Sequence, residues 1–496
     1  MKRSVVDKLL WEENVLENYN VYSGEEIEQE NLNDIPVNLI SSIRVCRDEN
    51  YNLKVTCKRD RSQNTEKEVE WKSANDNLEL GEFINPGTLK IHVYESYNIE
   101  LTPCIYRGDS FSEEKVEYYL DCYHIEGCDS SKETMVLKEW FINGSNNTTF
   151  IILGNEKYEY EISQVIKGTW GSLEFENDDK LNQTSHYGRF AHIKYKDTAF
   201  DIELVGAGYG PDWSNNISIT YNQKYGRIPS EEERGIIHDY LSFIIGKRLI
   251  YIGESSYDGQ GNKIGFVMEA PNNLGLDIRE LCSKSPTPPI QHTYRNVKDF
   301  ISIIEKQLDS FEEIYNKLNL KSFFLSYWYA KGILKPYDLP ILAGALEELI
   351  RQWYKNIEKN KDTVLIKKAE FNKRIKPVKE LVIEQFKDTG YEQRMLDSIG
   401  NINRMSVTER FENFFIGINM PVGKEERKAM AARNRPAHGN ISYDIDSYKN
   451  QILQSEIYDR IIARIILCLI NYDGEYIDYG MVGYPQKNIK VPSGKE

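Results

Sequence analysis

Ser285-Pro286-Thr287-Pro288-Pro289 is the stretch on which the reading of this chain turns. Three prolines in five positions continue neither a helix nor a central strand, because each lacks a backbone donor and fixes φ. Residues 286–294 therefore read as a Pro-rich linker, and the apolar pattern changes across it. Upstream the sequence alternates with strand periods; downstream it repeats with helical ones. The fold class predicted is α+β and multidomain: a β-rich, antiparallel, sandwich-like N-terminal region, then an all-α bundle. A length of 496 residues suits two or three domains.

Upstream, residues 1–285 read as one acidic β-rich domain. Short β-branched and aromatic runs occur at Leu53–Lys58, Thr88–Tyr94, Lys115–Tyr123, Thr149–Leu153, Tyr158–Ile162, Phe190–Tyr195 and Ile217–Tyr221. Turn pairs such as Gly81-Glu82, Asn143-Gly144 and Asp258-Gly259 punctuate them. Most of the 33 tyrosines fall in this part. One helix interrupts the strands near 230–245. Ser230 and Glu233 form a capping-box pair at its start, and Gly246 stops it. A hairpin follows through Tyr251, the turn Asp258–Asn262, and Ile264–Met268.

Downstream, residues 295–475 read as helical almost throughout. The spacing predicts helices over Val297–Leu318, Ser322–Lys331, Leu339–Asn356, Phe371–Lys387, Glu392–Asn401, Ser406–Asn419, Lys424–Arg433 and Ser447–Tyr472. In the last, Ile457, Ile461, Ile465 and Leu469 recur on one face, which marks a central core helix. Glu347 sits on an apolar helix, where an i, i+4 pair with Arg351 is expected. Residues 476–496, rich in Gly, Pro and Lys, read as a loose tail.

The net charge of −15 is unevenly placed. The first 290 residues hold 30 Lys and Arg against 49 Asp and Glu, whereas residues 291–475 hold 29 against 26. Different halves should meet different partners. Met1–Leu10 carries no signal-peptide pattern, and the longest apolar stretch, Ile461–Ile470, is short and contains Arg464. A cytoplasmic protein with no membrane partner is expected, and seven scattered cysteines suit a reducing compartment. No cofactor or metal is expected. Cys122 and Cys128 lack zinc-site spacing, and His186 and His192 have no ligand partners at suitable intervals. Gly206-Ala207-Gly208-Tyr209-Gly210 leads into Pro211-Asp212-Trp213 rather than a helix, which argues against a dinucleotide loop.

The chemistry concentrates in Ala431-Ala432-Arg433-Asn434-Arg435-Pro436-Ala437-His438-Gly439. Arg433 should end one helix, Pro436 prevents its continuation, and His438 falls in the bend before the next. Asp444, Asp446 and Ser447 announce that next helix. An Arg at a helix end and a His in the following bend can converge on one phosphate. The guanidinium offers a fixed fork of donors, and the imidazole moves a proton near neutral pH.

This arrangement resembles the HEPN superfamily, and residues 295–475 are similar to the Apea-like HEPN domain of bacterial anti-phage defence proteins. The supports are the RNxxxHG stretch Arg433–Gly439, the Ala345-Leu346-Glu347 helix upstream, and the tyrosine-rich exit at Tyr472–Tyr479. The resemblance implies a HEPN helical bundle that cleaves RNA without a metal. The RNA's own 2′-hydroxyl would attack the adjacent phosphate. His438 would be acid or base, Arg433 would stabilise the phosphorane, and Asn434 would orient either group. It also implies a homodimer, and an N-terminal domain that senses a phage-derived trigger or restrains the nuclease. Arg435 and the basic run containing Lys367, Lys368, Lys373 and Arg374 are the candidate RNA contacts. The alternative is a catalytically silent HEPN scaffold that binds a nucleotide or a protein.

Overall fold

The computed structural model describes residues 19–20, 27–32, 35–60, 86–94, 97–111, 115–144, 166–168, 171–173, 190–205, 210–211, 214–291, 297–358, 364–433 and 444–495. The expected strands Thr149–Leu153 and Tyr158–Ile162 lie outside the described residues, as do His186 and the glycines at 206 and 208. The chain divides into two compact units. One comprises residues 1–286 and 292–305, the other residues 287–291 and 306–496.

The first unit is built on an antiparallel sheet of 13 strands among the described residues. Its organising element is the 15-residue strand Lys115–Asp129. One edge of that strand pairs along its length with Tyr97–Phe111. The other edge is shared: Leu53–Asp60 pairs with Lys115–Cys122, and Lys263–Glu269 takes over from His124 to Cys128. The sheet forks at this point. One branch runs to Ser42–Arg47, the other through Ile250–Tyr257, Val136–Ile142, Asn216–Asn222 and Thr198–Val205 to Phe190–Tyr195. The described strands form one branched antiparallel sheet, because a strand this long can accept two partners in succession on one edge, and residues of both branches, among them Ile43, Val55, Ile142 and Ile252, share one buried core.

The fork is fastened by a buried side chain. Arg47, 3% exposed, donates to the carbonyls of Tyr51 and Glu269 at 2.8 Å each and to that of Ile252 at 3.0 Å. A buried guanidinium is tolerated only when its donors are satisfied, and here three backbone acceptors do so.

Helix α1 (Glu231–Ile245) covers part of this sheet. Ser230 accepts from the Glu233 amide, Glu233 returns the bond, and Gly246 ends the helix at φ 74°. That left-handed conformation is one glycine adopts without strain. Ile236, Ile237, Tyr240, Leu241 and Ile244 are buried. Arg234 and His238 reach the buried Glu139 at 2.8 and 2.7 Å. Strands Val136–Ile142 and Asn216–Asn222 read as almost continuously buried, as expected of strands covered on both faces. A short helix, α2 (Ile278–Ser283), follows the last hairpin.

The helices that follow are α3 (Val297–Tyr315), α4 (Leu320–Gly332), α5 (Leu339–Asn356), α6 (Lys368–Phe386), α7 (Glu392–Asn401), α8 (Val407–Gly417), α9 (Lys424–Ala432) and α10 (Ile445–Leu469). Helix α10 is the core of the second unit. Ile457, Ile461, Ile465 and Leu467 are at most 2% exposed, and α5 and α9 lie against it. Each buried Leu or Ile contributes about 1.5–3 kcal/mol. The α10 core also encloses charge: Arg460 and Arg464 are fully buried. Arg460 pairs with Asp459, which also accepts from Tyr327 at 2.9 Å and Lys331 at 2.8 Å.

Two expectations about the ends of this unit are corrected. Residues 476–496 are not a loose tail. Glu475–Ile477 and Gln486–Asn488 form a small hairpin, and Tyr476, Asp478, Ile489 and Ser493 are buried. The reason lies in Arg464, whose buried donors reach the Ile489 carbonyl at 2.8 Å and the Pro421 carbonyl at 3.0 Å. The Pro-rich stretch is likewise not a free linker. Pro289 accepts from the Ile477 amide at 2.9 Å, and Thr287 accepts from Lys331 at 2.9 Å. Composition flagged the absence of a helix correctly but could not register these long-range bonds.

Candidate functional site

Helix α9 delivers Arg433, and its placement begins at the opposite end of the helix. Glu426, with no exposed surface, accepts from the Gly423 amide at 3.0 Å and closes the first turn. Its other oxygen pairs with Arg464 of α10 and accepts from the Ser493 amide at 3.0 Å. Buried Ala429 and Ala432 are small enough to let α9 lie close to α10. The helix is therefore fixed at its start and along one side, and Arg433 projects from its C-terminal cap.

Three side chains surround that guanidinium. Arg433 Nη2 lies 3.0 Å from Glu347 Oε1, and Arg433 Cζ stands 5.1 Å from the centre of the Phe411 ring. Tyr458 of α10 faces the same pair. Burial pushes the Tyr458 hydroxyl above its ordinary pKa; the nearby Arg433 charge opposes this and that of Glu347 reinforces it. Arg433 is 17% exposed, so the charge is partly desolvated, with one carboxylate and one aromatic face as compensation.

This differs from the expected pairing of Glu347 with Arg351. Arg351 instead forms a two-pronged pair with Glu348 at 2.6 and 2.7 Å, and Glu347 is left to Arg433. Both spacings are allowed on a helix. The tandem Glu347-Glu348 offered the choice, and only the position of α9 resolved it.

Beside this group a cleft of about 290 Å³ opens between α5 and α8. Gly344, Glu347, Glu348, Ile350 and Arg351 line it from α5; Val407, Arg410 and Phe411 line it from α8. The two helices are clamped at one end. Trp353 meets Phe414 at 5.3 Å, the Tyr354 hydroxyl donates to the Arg410 carbonyl at 3.1 Å, and Gly417 leaves room for the Trp353 ring. Sequence reading missed Gly344, Arg410 and Phe411. The available signal was a glycine in the middle of an otherwise regular helix.

Asn434, Arg435 and His438 lie outside the described residues. Lys367 caps the start of α6, and Lys368, Lys373 and Arg374 lie on that helix, exposed. Arg374 pairs with Glu370 at 2.6 Å. No hydrogen bond or ion pair among the described residues joins these four cations to Arg433 or its partners. Among the described residues no helix is long and apolar enough to cross a membrane. No family model, curated protein or solved structure matches this chain.

Proposed function

We propose that the helical unit is a HEPN-type endoribonuclease that cuts RNA without a metal, with Arg433, Asn434 and His438 as its catalytic residues. The observation that carries this reading is the setting of Arg433. A helix-end guanidinium, partly buried and held at the edge of a cleft, is poised as a phosphate-binding group should be. Helix α10 begins at Ile445, twelve residues after Arg433, so His438 falls in sequence between the two helices. In this reading the RNA 2′-hydroxyl attacks the neighbouring phosphate and the P–O5′ bond breaks, leaving a 2′,3′-cyclic phosphate and a 5′-hydroxyl. Arg433 stabilises the charge that develops, and His438 takes the 2′-hydroxyl proton or gives one to the leaving 5′-oxygen. Asn434 orients the reacting groups. Arg435, Lys367, Lys368, Lys373 and Arg374 contact the RNA backbone, and two copies of the chain act as a homodimer in the cytoplasm. The acidic β-rich unit senses a phage-derived trigger or restrains the nuclease, in keeping with a role in antiviral defence.

The rival reading is a silent HEPN scaffold that binds a nucleotide or a protein. It is favoured by the Arg433–Glu347 pair, since a cation at a helix C-terminus with a carboxylate partner is also a purely structural device. RNA digestion by the purified full chain, with and without a chelator, separates the two. Arg433→Ala and His438→Ala should each lower cleavage at least 100-fold with the melting midpoint retained, and products should end in 2′,3′-cyclic phosphates. Equal cleavage by wild type and His438→Ala rejects the assignment, and 3′-hydroxyl ends point to a metal-dependent route.

A further inference from the structure

Gly344 sits in the middle of α5, where glycine weakens a helix and alanine would strengthen it. Its conformation is the ordinary helical one, and a Cβ built there meets no atom of the described residues within 4 Å. No turn, no close helix approach and no left-handed backbone calls for glycine. What its missing side chain does leave open is the cleft that Gly344 lines.

That cleft has unmet hydrogen-bonding capacity. The Nε of Arg410, a residue that lines the cleft, is buried and has no hydrogen-bond partner among the described residues, and a buried donor left unpaired is destabilising until an acceptor arrives. Glu347 is 48% exposed; its Oε1 holds Arg433, and its carboxylate remains an acceptor at the cleft mouth. Ile350, Val407 and Phe411 supply apolar wall between these polar groups. Glu348 and Arg351, which also line the cleft, are paired with each other, so a donor of Arg410, the Glu347 carboxylate and apolar sides in about 290 Å³ are left to suit a single planar heterocycle.

Resting on the ribonuclease reading, we propose that this cleft is a base-recognition subsite that takes an unstacked guanine beside the phosphate held by Arg433. Guanine carries adjacent acceptor and donor positions on its edges, O6 or N7 to accept from the Arg410 Nε–H and N1–H and N2–H to donate to Glu347. Single-stranded RNA is read in this way, with bases splayed out and bonded along their edges. Gly344 keeps the space that the base fills.

The test compares wild type, Gly344→Ala and Gly344→Leu of the full chain. It uses short single-stranded RNAs that differ only in the base at the cut, and titration with GMP, AMP, CMP and UMP. Wild type should cut next to guanosine and bind GMP at least 10-fold more tightly than the other three. Gly344→Leu should lose that preference while its melting midpoint is not lowered, with Gly344→Ala intermediate. Should Gly344→Leu fail to fold, Arg410→Met serves the same purpose and should lose the same preference. Cleavage without base preference, or a preference that survives both substitutions, overturns the subsite and leaves the ribonuclease reading intact. GMP binding that is lost in Gly344→Leu, from a protein that cuts no RNA, upholds the cleft as a guanine site and rejects the nuclease.

Discussion

His124 stands where the sheet divides, and its charge is tied to the fork. Its Nδ1 lies 2.6 Å from Glu269 Oε1, and Nε2 lies 3.4 Å from Glu126. The hydrogen bond to Glu269 is the largest influence and raises its pKa to about 9, against the opposing effect of burial. A histidine whose folded pKa lies above its unfolded one stabilises fully below the unfolded value, about 6.5. The contribution disappears as pH rises through the folded value. The first unit should therefore lose about 2 kcal/mol between pH 6.5 and pH 9.5, after allowance for solvent screening of a partly exposed pair. Urea denaturation across this range checks it, and His124→Gln should flatten the dependence. A wild-type midpoint that does not fall with pH rejects the charged pair.

At the scale of elements, α6 and α7 contrast with α10. Helix α6 runs 19 residues yet buries only Phe371, carries Pro377 in its interior, and leaves Val378, Leu381 and Ile383 exposed. Helix α7 buries no residue fully. A proline inside a helix removes a backbone bond at a cost of about 3 kcal/mol, and isolated helices of this length are marginal. Amide hydrogen exchange should accordingly be fast over residues 368–401 and slow over residues 457–468. Protection factors should differ by at least 100-fold. Comparable protection in the isolated protein would show that α6 and α7 are far better supported than their burial implies.

At the scale of the molecule, the last 21 residues complete the second unit rather than trailing from it. Removing residues 476–496 strips Arg464 of the Ile489 carbonyl and Glu426 of the Ser493 amide, both fully buried groups. It also uncovers the apolar surface beneath Tyr476 and Ile489. Breaking the partners of a buried charge costs about 3–5 kcal/mol, a large part of the stability of a typical domain. The truncated chain should melt well below the full chain. An unchanged melting midpoint would show that the hairpin is dispensable.

The sequence by itself determined the elements. Leu339–Asn356 and Glu392–Asn401 have the bounds that apolar spacing and breakers predicted, and the Ser230–Glu233 capping box starts α1 as read. These features are local: a cap, a period of 3.6 or 2, or a stop residue acts within one or two turns. The division into a strand region and a helical region was legible for the same reason. Tertiary structure alone decided that one long strand would take two partners and fork the sheet. It alone decided that the Gly- and Pro-rich end would be clasped by Arg464, and that Glu347 would turn from Arg351 to Arg433. Each of these is a choice between alternatives of similar local energy. Buried charges and backbone groups settled it by finding partners far away along the chain, and that information exists only once the chain is folded.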